Sequence, residues 1–136
     1  MAGNMIPAIE FERKIAELCL GGVGPGLPRK SRNRHILLKA AAMAIGQGSQ
    51  RTEKEINELL ASWLDALGPT VRLDHVSLRR HLIDEGYVER DPAGAVYNIH
   101  NPDSQPVQFE PAVEAFDTIQ VLRRASEERE RKRLRH

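Results

Sequence analysis

Apolar residues recur at helical spacing in five stretches of this chain and alternate in a strand-like way in one. Over residues 8–20, Phe11, Ile15, Leu18 and Cys19 share a face, with Glu10 and Glu12 near the positive end of the helix dipole, which predicts a first helix. The run "GGVGPGLP" that follows has four glycines and two prolines; it forbids regular structure and reads as a connector. A second helix is predicted from Ser31 to about Ile45. It has Ile36, Leu37, Ala40, Ala41, Ala44 and Ile45 on or near one face, and Gly46 and Gly48 as its stop. A third opens at "TEKE", where Thr52 and Glu55 can cap each other's backbone amides reciprocally. Its stripe of Ile56, Leu59, Leu60, Trp63, Leu64 and Leu67 ends at Gly68-Pro69.

The stretch "DHVSLRRHLIDEGYVERDPAGAVYNI", residues 74–99, predicts a fourth helix capped by Asp74 and stopped by Gly86. At 100° per residue, Leu78, Leu82, Ile83 and Val76 span one arc, with His75 and Arg79 inside it; Ser77, Arg80, His81 and Asp84 fall opposite. Residues 87–90 and 95–99 alternate as short strands, joined by a turn with Pro92 and Gly94, and Asn101-Pro102 closes the module. From Ala112 onward Val113, Phe116, Ile119 and Leu122 keep helical spacing. Beyond Ala125 the nearly all-charged "SEERERKRLRH" reads as a solvated extension of that helix or as disorder. The fold class is mainly α with a small β-hairpin: a winged helix-turn-helix flanked by N- and C-terminal helices. The expected division is 1–26 for the first helix and connector, 27–101 for the winged helix, and 102–136 for the last helix and its tail.

Composition changes this picture little and charge changes it more. At 136 residues there is room for one modest core, and the few aromatics favour helices packed through Leu, Ile and Ala over a β-sandwich. The lone cysteine, Cys19, sits among apolar residues and excludes an internal disulfide, which makes a reducing cytoplasm the expected setting. No start of signal-peptide type and no apolar run of the ~20 residues needed to span a bilayer is present. The net charge of +1 hides a segregation: residues 29–39 hold five basic residues and no acid, and residues 123–136 hold seven against three. The remainder therefore carries an excess of eight acids. Basic residues at the start of the second helix oppose the helix dipole, so either an anionic partner or a frayed first turn is expected there.

Residues 27–99 resemble the bacterial domain of unknown function family 2087, through "LPRK", "TEKEINELL", and "LRRHLIDEGYVER" followed by a strand containing Tyr97. The resemblance implies likeness to winged-helix transcriptional regulators and a family whose own members occur alone or fused behind a separate helix-turn-helix repressor domain, and it brings no catalytic residues. Two departures stand out. The connection from Leu64 to Leu73 is long, and His81 replaces an expected acid, which makes the fourth helix more basic.

For DNA, the candidates are Arg29, Lys30, Arg32 and Arg34 on phosphate and Arg80 on guanine, with Ser77 and His81 reaching base edges or phosphate. Arg79 suits a structural ion pair. The wing offers only Arg90, beside Glu89 and Asp91. Catalysis has little to work with: Asp84 and Glu85 point about 100° apart on a helix, the five histidines lack ligand spacing, and Cys19 lacks a local partner. A phosphate loop is excluded, because the glycine run follows a helix and Arg29 stands directly before Lys30-Ser31. Neither a cofactor nor a metal is expected, and a tail with only Leu134 to insert argues against a membrane. The leading expectation is a cytoplasmic DNA-binding transcriptional regulator on double-stranded DNA. The alternative is a winged-helix protein-interaction module, with the first or last helix available for a homodimer or another protein.

Overall fold

The computed structural model describes residues 5–21, 24 and 26–135; residues 22, 23 and 25 of the glycine-rich connector lie outside them. The helices are α1 (Ala8–Gly21), α2 (Ser31–Ile45), α3 (Glu53–Leu67), α4 (His75–Asp84) and α5 (Thr118–Leu134), and the strands are β1 (Gln50–Arg51), β2 (Val88–Arg90) and β3 (Tyr97–Ile99). The three strands form one antiparallel sheet in the order β1-β3-β2. From α2 to β3 the sequence of elements is helix, strand, helix, helix, strand, strand, which is that of a winged helix-turn-helix. β1 was not expected. It is two residues long, too short to alternate, and exists because Gln50 and Arg51 find partners in Asn98 and Tyr97.

The helix ends follow local chemistry. Thr52 Oγ1 accepts from the Glu55 amide at 3.2 Å while the Glu55 carboxylate accepts from the Thr52 amide at 2.8 Å, so the capping box forms as expected. Asp74 Oδ1 accepts from the Ser77 amide at 2.8 Å and starts α4. Gly86, at φ +94°, turns the chain from α4 into β2, a conformation in which a side chain would be strained.

α2 is the hub. One apolar face was expected, yet its middle, from His35 to Ala42, is buried on every side, because α1, α3, α4 and the C-terminal segment all surround it. The small Ala40, Ala41 and Ala42 let these neighbours approach closely.

The C-terminal segment departs from the expected helix beginning at Ala112. Two 3-10 turns, Pro102–Ser104 and Pro111–Ala115, come first; Phe116 is extended, and α5 starts only after Asp117, whose carboxylate accepts from the Gln120 amide at 3.2 Å. The i, i+3 pair Val113 and Phe116 is served by a 3-10 turn as well as by an α-helix, and Pro111 and the Asp117 cap decide between them. Residues 126–134 continue α5 as a fully exposed helix. The N-terminus joins this segment through a parallel bridge, with the Ile6 amide donating to Gln108 O and the Glu110 amide to Ile6 O, both at 2.9 Å. Among the described residues no helix is long and apolar enough to cross a membrane.

Candidate nucleic-acid interface

The second helix of the helix-turn-helix pair is α4, which follows α3 in the chain. Leu78 and Leu82, both fully buried, anchor it. Its outward ridge is Val76, Arg80 and Asp84, successive i, i+4 positions that are all exposed, flanked by half-buried Ser77 and His81. Val76 was expected inside the apolar arc; at 37% exposure it stands instead on the edge that faces solvent. Ser77 is partly committed to the fold, since its hydroxyl donates to Asp74 Oδ2 at 2.9 Å.

The two adjacent arginines separate as their helical positions predict. Arg79 turns back toward α3, donating to Asn57 Oδ1 and lying 3.8 Å from the Glu53 carboxylate, which also accepts from the Tyr97 hydroxyl at 2.8 Å. Arg80 turns outward. Among the described residues no ion pair or hydrogen bond holds the side chains of Arg29, Lys30, Arg80 or His81.

The other basic residues at the start of α2 have carboxylate partners within the chain. Arg32 grips Glu10 of α1 along one edge of its guanidinium, with Nε donating to Oε2 and Nη2 to Oε1, the latter at 2.8 Å. That pairing holds the Glu10 carboxyl below its usual range. Arg34 Nε is buried without a hydrogen bond, 3.5 Å from the Glu85 carboxylate, while its Nη1 donates to Arg29 O at 3.2 Å. Lys39 is buried in the core. The cations that opposed the dipole of α2 therefore have intrachain acids as their explanation at Arg32 and Arg34. Arg29 and Lys30 keep exposed side chains.

Arg34 belongs to a cluster that fastens the start of α2 to the end of α4. His35, 8% exposed, places Nδ1 2.8 Å from the Tyr87 hydroxyl and Nε2 3.5 Å from Glu85 Oε1. A neutral ring with its proton on Nε2 satisfies both contacts, accepting from Tyr87 and facing Glu85. Burial raises the Tyr87 pKa, which keeps that hydroxyl a donor. Burial also holds the His35 imidazole below its ordinary 6.5, with Arg34 adding to the effect and Glu85 opposing it. A depressed histidine pKa gives stability that is complete above 6.5 and is lost as pH falls through the lower folded-state value. The melting temperature is expected to fall between about pH 7 and 5. In His35→Gln the fall should shrink, and an unchanged profile would place the acid sensitivity elsewhere.

The wing is short and its one cation is folded back. Arg90 lies with its guanidinium carbon 6.0 Å from the Tyr97 ring centroid, against Gly94, and Glu89 and Asp91 flank it. Asp84 and Glu85 occupy the end of α4 that meets α2, so no run of basic residues along α4 joins Arg80 to Arg29 and Lys30. Burial pushes the Cys19 thiol up to about 12, which leaves it a core residue.

Fold and outward helix together define a winged helix-turn-helix protein. The chain belongs to the family described as "Uncharacterized protein conserved in bacteria (DUF2087)", whose model matches residues 26–99. The match opens just before α2 and closes on β3, so it coincides with the winged helix and leaves α1, both 3-10 turns and α5 outside. No curated protein and no solved structure matches the chain.

Proposed function

We propose that this chain binds double-stranded DNA through α4 and acts as a transcriptional regulator of the winged-helix type. The observation that carries the reading is Arg80: exposed, unpaired among the described residues, and at the centre of the outward ridge of the helix that a helix-turn-helix inserts into the major groove. Its guanidinium suits the O6 and N7 acceptors of guanine, and Val76 one turn earlier suits a thymine methyl. Lys30 and Arg29 supply phosphate contacts. Arg32 and Arg34 serve this reading indirectly, by fixing α1 and α4 against α2. The test is selection of bound fragments from a random double-stranded pool at physiological salt, followed by titration of the selected site. Arg80→Ala should cost roughly 1–3 kcal/mol there and relax one base position, while Lys30→Ala should weaken all sequences and lower the salt slope by about 1. A pool that shows no enrichment, or an Arg80→Ala protein that binds like wild type, would sink the reading.

One observation favours a second reading, in which the same helix docks on a protein. The acids Glu89 and Asp91 on the wing and Asp84 and Glu85 at the end of α4 make the surroundings of Arg80 unwelcoming to phosphate. Stoichiometric recovery of one partner protein on immobilised wild type, abolished by Arg80→Ala in the absence of nucleic acid, would select it.

A further inference from the structure

We propose that the groove between α1 and α5 seats a second copy of this chain. Each helix has one face along it at i, i+3, i+4 and i+7 spacing, of which all but Ile9 line the groove. On α1 these are Ile9, Glu12, Arg13 and Ala16, and on α5 they are Val121, Arg124, Ala125 and Glu128. The groove itself, of about 330 Å³, has a floor of Ala16, Val121 and Ala125, side chains short enough for another helix to approach closely. Ile9, 76% exposed, continues the α1 face one turn beyond the groove and is among the most exposed large apolar side chains of the molecule.

The rim identifies the occupant. Glu12, Arg13, Arg124 and Glu128 are two acids and two bases lining one groove, yet among the described residues none of them has an ion-pair partner within 4.0 Å. A nucleic acid or an anionic membrane would meet two carboxylates there. A twofold interface joins a patch to itself, so a rim of one sign would repel its own copy; a rim with equal numbers of both signs complements itself, each acid meeting a base of the other chain. α5 also runs on past Ala125 as an exposed helix through Leu134, carrying both signs, and lies free to extend along a partner. In this dimer two α4 helices belong to one particle, as recognition of a two-half DNA site requires, although the pairing does not rest on DNA binding.

Sedimentation equilibrium of the full chain without DNA tests the proposal apart from the DNA reading. Wild type is expected at twice the chain mass at micromolar concentration. Ala125→Glu, which plants a charge in the floor, should halve the mass. So should Arg124→Glu, which leaves three acids and one base, and Glu128→Arg, which leaves the converse. The Arg124→Glu/Glu128→Arg double variant restores the balance and should restore the dimer, a recovery that a folding defect would not give. Far-UV circular dichroism of every variant confirms native helix content. The proposal is overturned by a wild type that stays monomeric, by a dimer indifferent to Ala125→Glu and Arg124→Glu, or by natively folded single variants whose double variant stays monomeric.

Discussion

Lys39→Ala is expected to remove roughly 3 kcal/mol of folding stability, read as a lowered urea midpoint. Lys39 is 1% exposed, deep in α2, and its ammonium donates to Gln47 Oε1 at 2.6 Å, Gln105 Oε1 at 2.8 Å and Glu114 Oε2 at 2.6 Å. Those acceptors are bound to one another as well: Gln105 Nε2 donates to Gln47 Oε1 at 2.7 Å and to His100 O at 3.1 Å, and Gln47 Nε2 donates to Glu114 Oε1 at 2.7 Å. The charge is satisfied, but at a cost. Burial holds the Lys39 pKa below the ordinary lysine range, with the bond to Glu114 opposing that shift, so desolvation outweighs the attraction of the carboxylate. Alanine deletes the donors and also the Cγ, Cδ and Cε methylenes of the stem that leads to the ammonium, itself 5.6 Å from the Phe109 ring centroid. Lys39→Met keeps the stem and relieves the buried charge, and should cost about 1–2 kcal/mol, mostly for the orphaned Gln105 oxygen. Equal losses in the two variants would show that packing of the stem contributes nothing. Unchanged stability in Lys39→Ala would refute the network as a tie.

The consequence reaches beyond one residue. Gln105 and Glu114 lie outside the family-matched segment 26–99, in the 3-10 turns that follow it. The winged helix of this chain therefore contains a buried cation whose charged partner comes from the flank. Similarly, Arg32 near the start of α2 is neutralised by Glu10 of α1. Flank and core are joined by electrostatics that an isolated winged helix would leave unpaired.

How much of this was readable beforehand depends on how local the cause is. The starts of α3 and α4 rest on residues a few positions apart, Thr52 with Glu55 and Asp74 with Ser77, and the stops after α2 and α3 on Gly46 and Gly68, so all four boundaries follow from local chemistry. The division of labour between Arg79 and Arg80 needs only the helical step, and it holds. β1 needs a partner strand 48 residues away, Gln50 with Asn98, which no local pattern reveals. The burial of Lys39 needs Gln105 and Glu114, at separations of 66 and 75 residues; along the chain it looks like one more member of a basic run. Arg32 and Arg34 look like phosphate ligands along the chain for the same reason, since their partners Glu10 and Glu85 are distant in sequence. Val76 stands on the outward ridge despite its apolar side chain, because its position four residues before Arg80, and not its polarity, sets the direction in which it points.

Phe11→Ala is expected to be at least as damaging as the loss of Lys39, costing about 4 kcal/mol. The chain has three phenylalanines, and all three lie outside residues 26–99, yet they meet. Phe11 of α1 is fully buried, packed edge-on against Phe109 at 5.8 Å between centroids and stacked on Phe116 at 6.0 Å. One side chain thus fastens α1 to the segment on either side of the Pro111–Ala115 turn, beside the bridge from Ile6 to Phe109. Alanine leaves a void walled by the two remaining rings, and because Phe109 and Phe116 are held on either side of the Pro111–Ala115 turn they cannot collapse into it without moving their backbones. Phe116→Ala should cost less, because that ring is half-buried. The double variant should fall short of the sum of the two by about 0.5–1.5 kcal/mol, the coupling typical of an aromatic pair. Thermal and urea unfolding of the three variants measure all of these quantities. A loss below about 1 kcal/mol in Phe11→Ala would mean that α1 only rests on the winged helix. A loss near 4 kcal/mol would make the flanks part of the same cooperative unit as the family core.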